Sequence, residues 1–117
     1  MNLQECYKSF GGEYQDVMRR LQSEERIKRF LVMFLNDPSF SQLCSAWDEC
    51  QYDDVFRAVH TMKGICLNLA FTALLNSCTL LTENLRAGIP DESTEKYVNE
   101  VKEKYAQTAA AITAYLK

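Results

Sequence analysis

The chain has 117 residues, 47% of them hydrophobic and 25% charged, with a formal net charge of −3. That is the size and composition of a single domain with one core. The acidic balance excludes a general nucleic-acid binder, and four glycines with two prolines are too few for the turns of an all-β fold.

The helical period runs through the whole chain. Leu3, Cys6, Tyr7 and Phe10 recur at i, i+3, i+4 and i+7, and Gly11-Gly12 stops that short helix. Tyr14, Val17, Met18 and Leu21 repeat the pattern in a second one. Ser23 is a good N-cap for a third helix, with Glu24 and Glu25 in its first turn and an apolar stripe of Ile27, Phe30, Leu31 and Phe34. The run Arg19, Arg20, Arg26, Lys28 and Arg29 is diluted by these glutamates and reads as a solvated helix face. Asp37-Pro38 ends the third helix and opens the next, whose stripe is Phe40, Leu43, Cys44 and Trp47. After a break at Gln51-Tyr52, Asp53 is the expected cap of a helix reaching about Leu69. Thr72 is the expected cap of the following one, with Leu74, Cys78, Leu81 and Leu85 as its stripe. Gly88 and Pro90 stop it. Ser93 then opens a last helix carrying Tyr97, Val101, Tyr105, Thr108, Ile112 and Leu116.

Long amphipathic helices with short connections pack as antiparallel neighbours. The expected fold is therefore all-α: an up-down-up-down four-helix bundle over about residues 38–117. Three short N-terminal helices, about residues 1–36, would cover one end or side, giving one domain over residues 1–117. The five cysteines at 6, 44, 50, 66 and 78 are odd in number and form no C-x-x-C pair. Neither a disulfide framework nor a zinc site is indicated, and the cysteines read as reduced core thiols. No apolar run approaches the ~18 residues that span a bilayer, and the N-terminus MNLQECYKSF lacks the form of a signal peptide. No membrane insertion and a cytoplasmic location are expected.

The stretch V-H-T-M-K-G-I-C, Val59 to Cys66, holds the only histidine, followed one turn later by a glycine. A glycine inside a helix costs roughly 0.5–1 kcal/mol relative to alanine. Stepping at roughly 100° per residue gathers Val55, Val59, Met62, Cys66 and Leu69 into a core stripe and puts His60 opposite. Asp53, Phe56, Arg57, Lys63, Gly64 and Leu67 flank it on the outer face. A lone histidine in a small helical protein is more often a casually exposed or packed residue than a reactive one. Four neighbours favour a reactive one here. Lys63, at i+3, can set an ammonium beside the imidazole. Gly64, at i+4, removes the side chain that would lean back over it. Phe56 and Leu67 place apolar area on an outward face, where a monomer has no use for it. A hydrolase would need an orienting acid, an oxyanion site and a cleft, none of which is visible. A metal site would need more ligands. Accepting a phosphoryl group needs less: a neutral imidazole nitrogen as nucleophile and a nearby cation for the transferred oxygens.

The stretch A-V-H-T-M-K-G-I-C-L-N-L, Ala58 to Leu69, resembles the histidine-containing phosphotransfer (HPt) domain motif, whose core is histidine, two residues, lysine, glycine. Asn68-Leu69, the upstream F-R-A-V-H, the downstream C-T-L-L-T-E-N-L-R-A-G (Cys78 to Gly88) and F-G-G-E-Y (Phe10 to Tyr14) fit as well. The resemblance covers about residues 10–90, and the last helix by pattern only. Ala70 departs from it, standing where many members have glycine. The resemblance implies that His60 is phosphorylated, that Lys63 neighbours the phosphate and that Gly64 gives clearance. Asp53, Phe56, Arg57, Leu67 and Asn68 would contact the partner. That partner would be a response-regulator receiver domain or a hybrid histidine kinase, with the receiver supplying Mg2+ and this chain binding no cofactor. With no kinase ATP-binding segment or receiver in the sequence, a free-standing phosphocarrier rather than an enzyme is expected. Two rivals are a helical adaptor that binds a receiver or kinase without transfer, and a small enzyme using His60 as general base. The second would need a concave pocket around His60.

Overall fold

The computed structural model describes residues 1–117, folded into seven helices and no strand. They are α1 (Leu3–Ser9), α2 (Tyr14–Leu21), α3 (Glu24–Asn36), α4 (Ser39–Asp48), α5 (Tyr52–Leu69), α6 (Thr72–Leu85) and α7 (Thr94–Leu116). The molecule measures 41 × 23 × 19 Å. Helices α4 to α7 pack each against the next in chain order, and their short connections reverse the direction each time, which makes the up-down-up-down bundle. Phe40 of α4 stacks on Tyr105 of α7, ring centroids 3.8 Å apart, and ties the first of these helices to the last.

Helix starts follow capping chemistry, with some differences from the expected residues. Ser23 caps α3 as expected, its hydroxyl accepting from the Arg26 N–H at 3.1 Å. Asn2 and Glu5 form a reciprocal capping box on α1. Asp53 is not a cap: α5 begins one residue earlier, at Tyr52, with Gln51 as N-cap, and Asp53 lies in the first turn. Its carboxylate there still favours the positive end of the helix dipole. Thr72 is likewise the first helical residue, with Phe71 before it at the N-cap. At α7 Ser93 is the N-cap, as expected, but its side chain makes no cap bond; Asp91 accepts from the Ser93 N–H at 2.8 Å and from the Asn84 amide at 3.1 Å, pinning the α6–α7 connection.

The core holds Val55, Val59, Met62, Cys66 and Leu69 of α5, all buried, together with Leu74, Cys78, Leu81 and Leu85 of α6 and Val98, Val101 and Ile112 of α7. Two apolar residues depart from expectation. Phe30 is 37% exposed rather than part of the α3 stripe, because α3 packs on its Ile27–Leu31–Phe34 side alone. Cys50 is not a core thiol but an exposed one at the α4–α5 turn.

The N-terminal helices are bound to the bundle by specific bonds. The Gly11-Gly12 turn lies against the α5–α6 turn: the Glu13 N–H donates to Ala70 O at 2.9 Å and the Ala73 N–H to Gly11 O at 3.1 Å. The Tyr7 hydroxyl donates to Leu69 O at 2.8 Å. Phe71, fully buried, is the hub of an aromatic cluster with Tyr7, Phe10 and Phe34 at centroid distances of 5.0–5.9 Å. Helix α3 flanks the C-terminal half of α5, with Phe34, Ile65 and Leu69 bordering the groove between them. Helix α4 flanks the N-terminal half, with Ala46 and Ala58 bordering the furrow between the two helices. One strip of α5 is left uncovered, and His60 lies on it.

Candidate functional site

The buried stripe locks the rotational phase of α5. Each fully buried Val, Leu or Met side chain contributes about 1.5–3 kcal/mol, so turning the helix to bury His60 would sacrifice several of them. The imidazole is exposed, and neither the His60 nor the Lys63 side chain takes part in a hydrogen bond or ion pair of the structure. The Phe56 ring lies parallel to it, 11° between planes and 6.3 Å between centroids. Phe56 itself is half-buried and packs against the core. This differs from the expected outward face: the ring supports His60 from one turn below rather than offering free apolar area.

Gly64 borders open space. A Cβ built there would meet no heavy atom within 4 Å. No neighbouring helix needs the missing side chain, so the gap belongs to the outer surface beside His60. Lys63 is half-buried on the flank toward α6. Its charge is felt there: the Glu83 carboxyl is held below the usual carboxylate range, chiefly by hydrogen bonds from the Arg86 guanidinium and in lesser part by the Lys63 ammonium.

His60, Lys63, Gly64 and Leu67 line one shallow, open depression. The far wall belongs to α6 and consists of Leu75, Asn76 and Thr79. Reading α5 by itself misses these three. They lie at i, i+1 and i+4 on α6, but only the α5–α6 packing brings them to the histidine. The Thr79 hydroxyl donates to Leu75 O at 2.8 Å, and Asn76 is exposed. The other expected contact residues do not line this depression. Arg57 pairs with Asp54 at 3.1 Å and faces the furrow between α4 and α5. Asn68 faces a groove between α3 and α5. Asp53 is exposed in the first turn of α5.

Chemically the site is an unobstructed imidazole with a cation on one flank and open space on the other. No carboxylate hydrogen-bonds the imidazole to fix a tautomer, and the depression is open rather than cleft-like, so the parts of a hydrolytic triad are not assembled. No helix of the chain is long and apolar enough to cross a membrane.

A family model described as the Hpt domain matches residues 29–111, from the middle of α3 to near the end of α7. No curated protein and no solved structure matches the chain significantly. Hpt domains are phosphocarrier modules of two-component phosphorelays, working with receiver domains and kinases. The match spans well over half the sequence and includes the exposed histidine, its lysine and its glycine; the chain belongs to the Hpt-domain family.

Proposed function

We propose that this chain is a phosphorelay intermediate that takes a phosphoryl group onto His60 from an aspartyl phosphate of a receiver domain and hands it to another receiver. The carrying observation is the position of His60: the sole histidine, exposed in mid-helix, with open space at Gly64. In the step, an imidazole nitrogen attacks phosphorus, the P–O bond of the acyl phosphate breaks, and the receiver's carboxylate leaves as a P–N bond forms. The return step is the reverse, onto a second carboxylate. Lys63 neutralises oxygens of the transferred group, Phe56 holds the ring upright from below, and Gly64 admits the donor. A divalent cation, expected as Mg2+, belongs to the receiver and supplies further charge neutralisation there.

The test is incubation with phosphorylated receiver domains of the same genome. The chain should acquire a phosphate that is labile to acid and stable to base, and His60→Gln should abolish it. Transfer to the His60→Gln chain would refute the proposal. Receiver binding without any such phosphate on the wild-type chain would identify an adaptor instead.

A further inference from the structure

The α6 wall of the depression carries on past Thr79. Asn76, Thr79, Glu83 and Arg86 follow at intervals of three, four and three residues, so they share one face of the helix. The first two line the depression with His60, and the next two lie one and two turns beyond them. Side chains lean toward the N-terminus of their own helix. Because α6 runs antiparallel to α5, Glu83 and Arg86 lean back toward the level of His60. Lys63, on the facing helix, leans the opposite way, so its ammonium and the Glu83 carboxylate incline toward each other.

The three charges are unequally committed. Arg86 grips both oxygens of Glu83, Nη2 donating to Oε1 at 2.8 Å and Nε to Oε2 at 3.2 Å. Both side chains are more than half exposed, so the pair adds little to stability, and its effect falls on the charge beside it. That charge is Lys63, which makes no ion pair of its own; it is felt at Glu83 after the larger influence of Arg86. The remaining charged groups on this side of α5 are Asp53, exposed two turns below His60, and Arg57, which pairs with Asp54 and faces the α4–α5 furrow. A phosphoryl group on His60 would bring a second anion, and Lys63 would stand between it and Glu83. Two unit charges about 7 Å apart in water change an equilibrium about threefold, enough to set how the lysine is shared.

We propose that Glu83 is a positioning residue: it draws the Lys63 ammonium along α6 and away from the phosphoryl group of His60, and Arg86 limits that pull by occupying both carboxylate oxygens. This rests on the phosphorelay reading and adds a control on the same site. In the test, His60 is labelled with phosphoramidate, which needs no receiver: ammonia leaves as the imidazole nitrogen bonds to phosphorus. Phosphorus NMR at low salt then follows the last proton of the bound phosphoryl group against pH. Glu83→Gln should release Lys63 to the phosphoryl group and lower that titration midpoint by about 0.5 of a pH unit. Arg86→Ala should raise it. In the Lys63→Ala chain both shifts should fall to less than half. They should vanish at 1 M salt, where the screening length is about 3 Å. Glu25→Gln, which breaks the pair with Arg29 at the start of α3, should match wild type. No shift in Glu83→Gln, an equal shift in Glu25→Gln, or a Glu83→Gln shift of the same size with and without Lys63 overturns the proposal. With a receiver present, Glu83→Gln should move the exchange equilibrium about threefold toward phosphorylated His60. A labelled wild-type chain that passes its phosphoryl group to no receiver would instead overturn the phosphorelay reading, and the titration would still decide the role of Glu83.

Discussion

Gly64 separates stability from function at the scale of a single residue. Because an added Cβ meets nothing within 4 Å, Gly64→Ala should remove the helix penalty without a clash and stabilise the fold by up to about 1 kcal/mol. That corresponds to a rise of roughly 4 °C in melting temperature. Transfer should be no faster. Gly64→Gln should fold as well, yet its longer side chain would lean back over His60 and largely abolish transfer. A lower melting temperature in the alanine variant would contradict the clearance role whatever the transfer assay shows. Lys63→Ala should slow transfer with little change in melting temperature, since the lysine has no hydrogen bond to lose and its charge does no more than assist Arg86 at Glu83. Unchanged transfer kinetics would reduce Lys63 to a solvated helix residue.

Among the elements, the α5–α6 turn is the joint on which the site depends. Ala70 ends α5 in the left-handed region, φ 58° and ψ 41°, and it is the one point where the sequence departs from the glycine common in related motifs. The left-handed conformation costs an L-residue about 1–2 kcal/mol, whereas burial of its methyl group returns about 0.8 kcal/mol. Ala70→Gly should therefore stabilise the protein by somewhat less than about 1 kcal/mol, measurable by denaturant titration at unchanged slope. Gly12, facing the same turn, should behave oppositely. A Cβ there would lie 2.7 Å from ring atoms of both Tyr7 and Phe10 and 3.2 Å from Ala70 O. Those rings sit in the aromatic cluster and Tyr7 is tied to Leu69 O, so Gly12→Ala should cost about 1–3 kcal/mol by overpacking. A neutral result would mean that the Gly11-Gly12 turn is free to move off the bundle.

For the whole molecule, burial of ionisable groups sets a limit at high pH. Burial, foremost, raises the Tyr7 hydroxyl above its ordinary range. Cys66 is raised first by a hydrogen bond with the Cys78 thiol and then by burial, and Cys6 chiefly by burial. Each holds its proton more tightly folded than unfolded. Their stabilising contribution is complete below the unfolded thiol and phenol range and is lost progressively as pH rises from there toward the raised folded values. The melting temperature should decline above about pH 9; a flat profile to pH 11 would show that these groups reach solvent when ionised. Thiol titration of the native chain should find one fast group, removed by Cys50→Ser, with Cys6, Cys66 and Cys78 protected until unfolding.

Much of this architecture was legible in the residues because it is local. The apolar period, the Ser23 cap and the breaks at Gly11-Gly12, Asp37-Pro38 and Gly88 act within one or two turns. The outward phase of His60 follows from the roughly 100° step of a single helix. What the tertiary structure alone decided depends on residues far apart in sequence. These include the register that brings Leu75, Asn76 and Thr79 to the histidine, and the packing of Phe56 that turns it from a surface contact into a support. They also include the seating of the Gly11-Gly12 turn on Ala70, and the placement of α3 beside α5, which leaves Phe30 exposed and opens the groove. A helical pattern states which side of each helix is apolar, but which neighbour covers it is chosen by the fit of all seven helices at once.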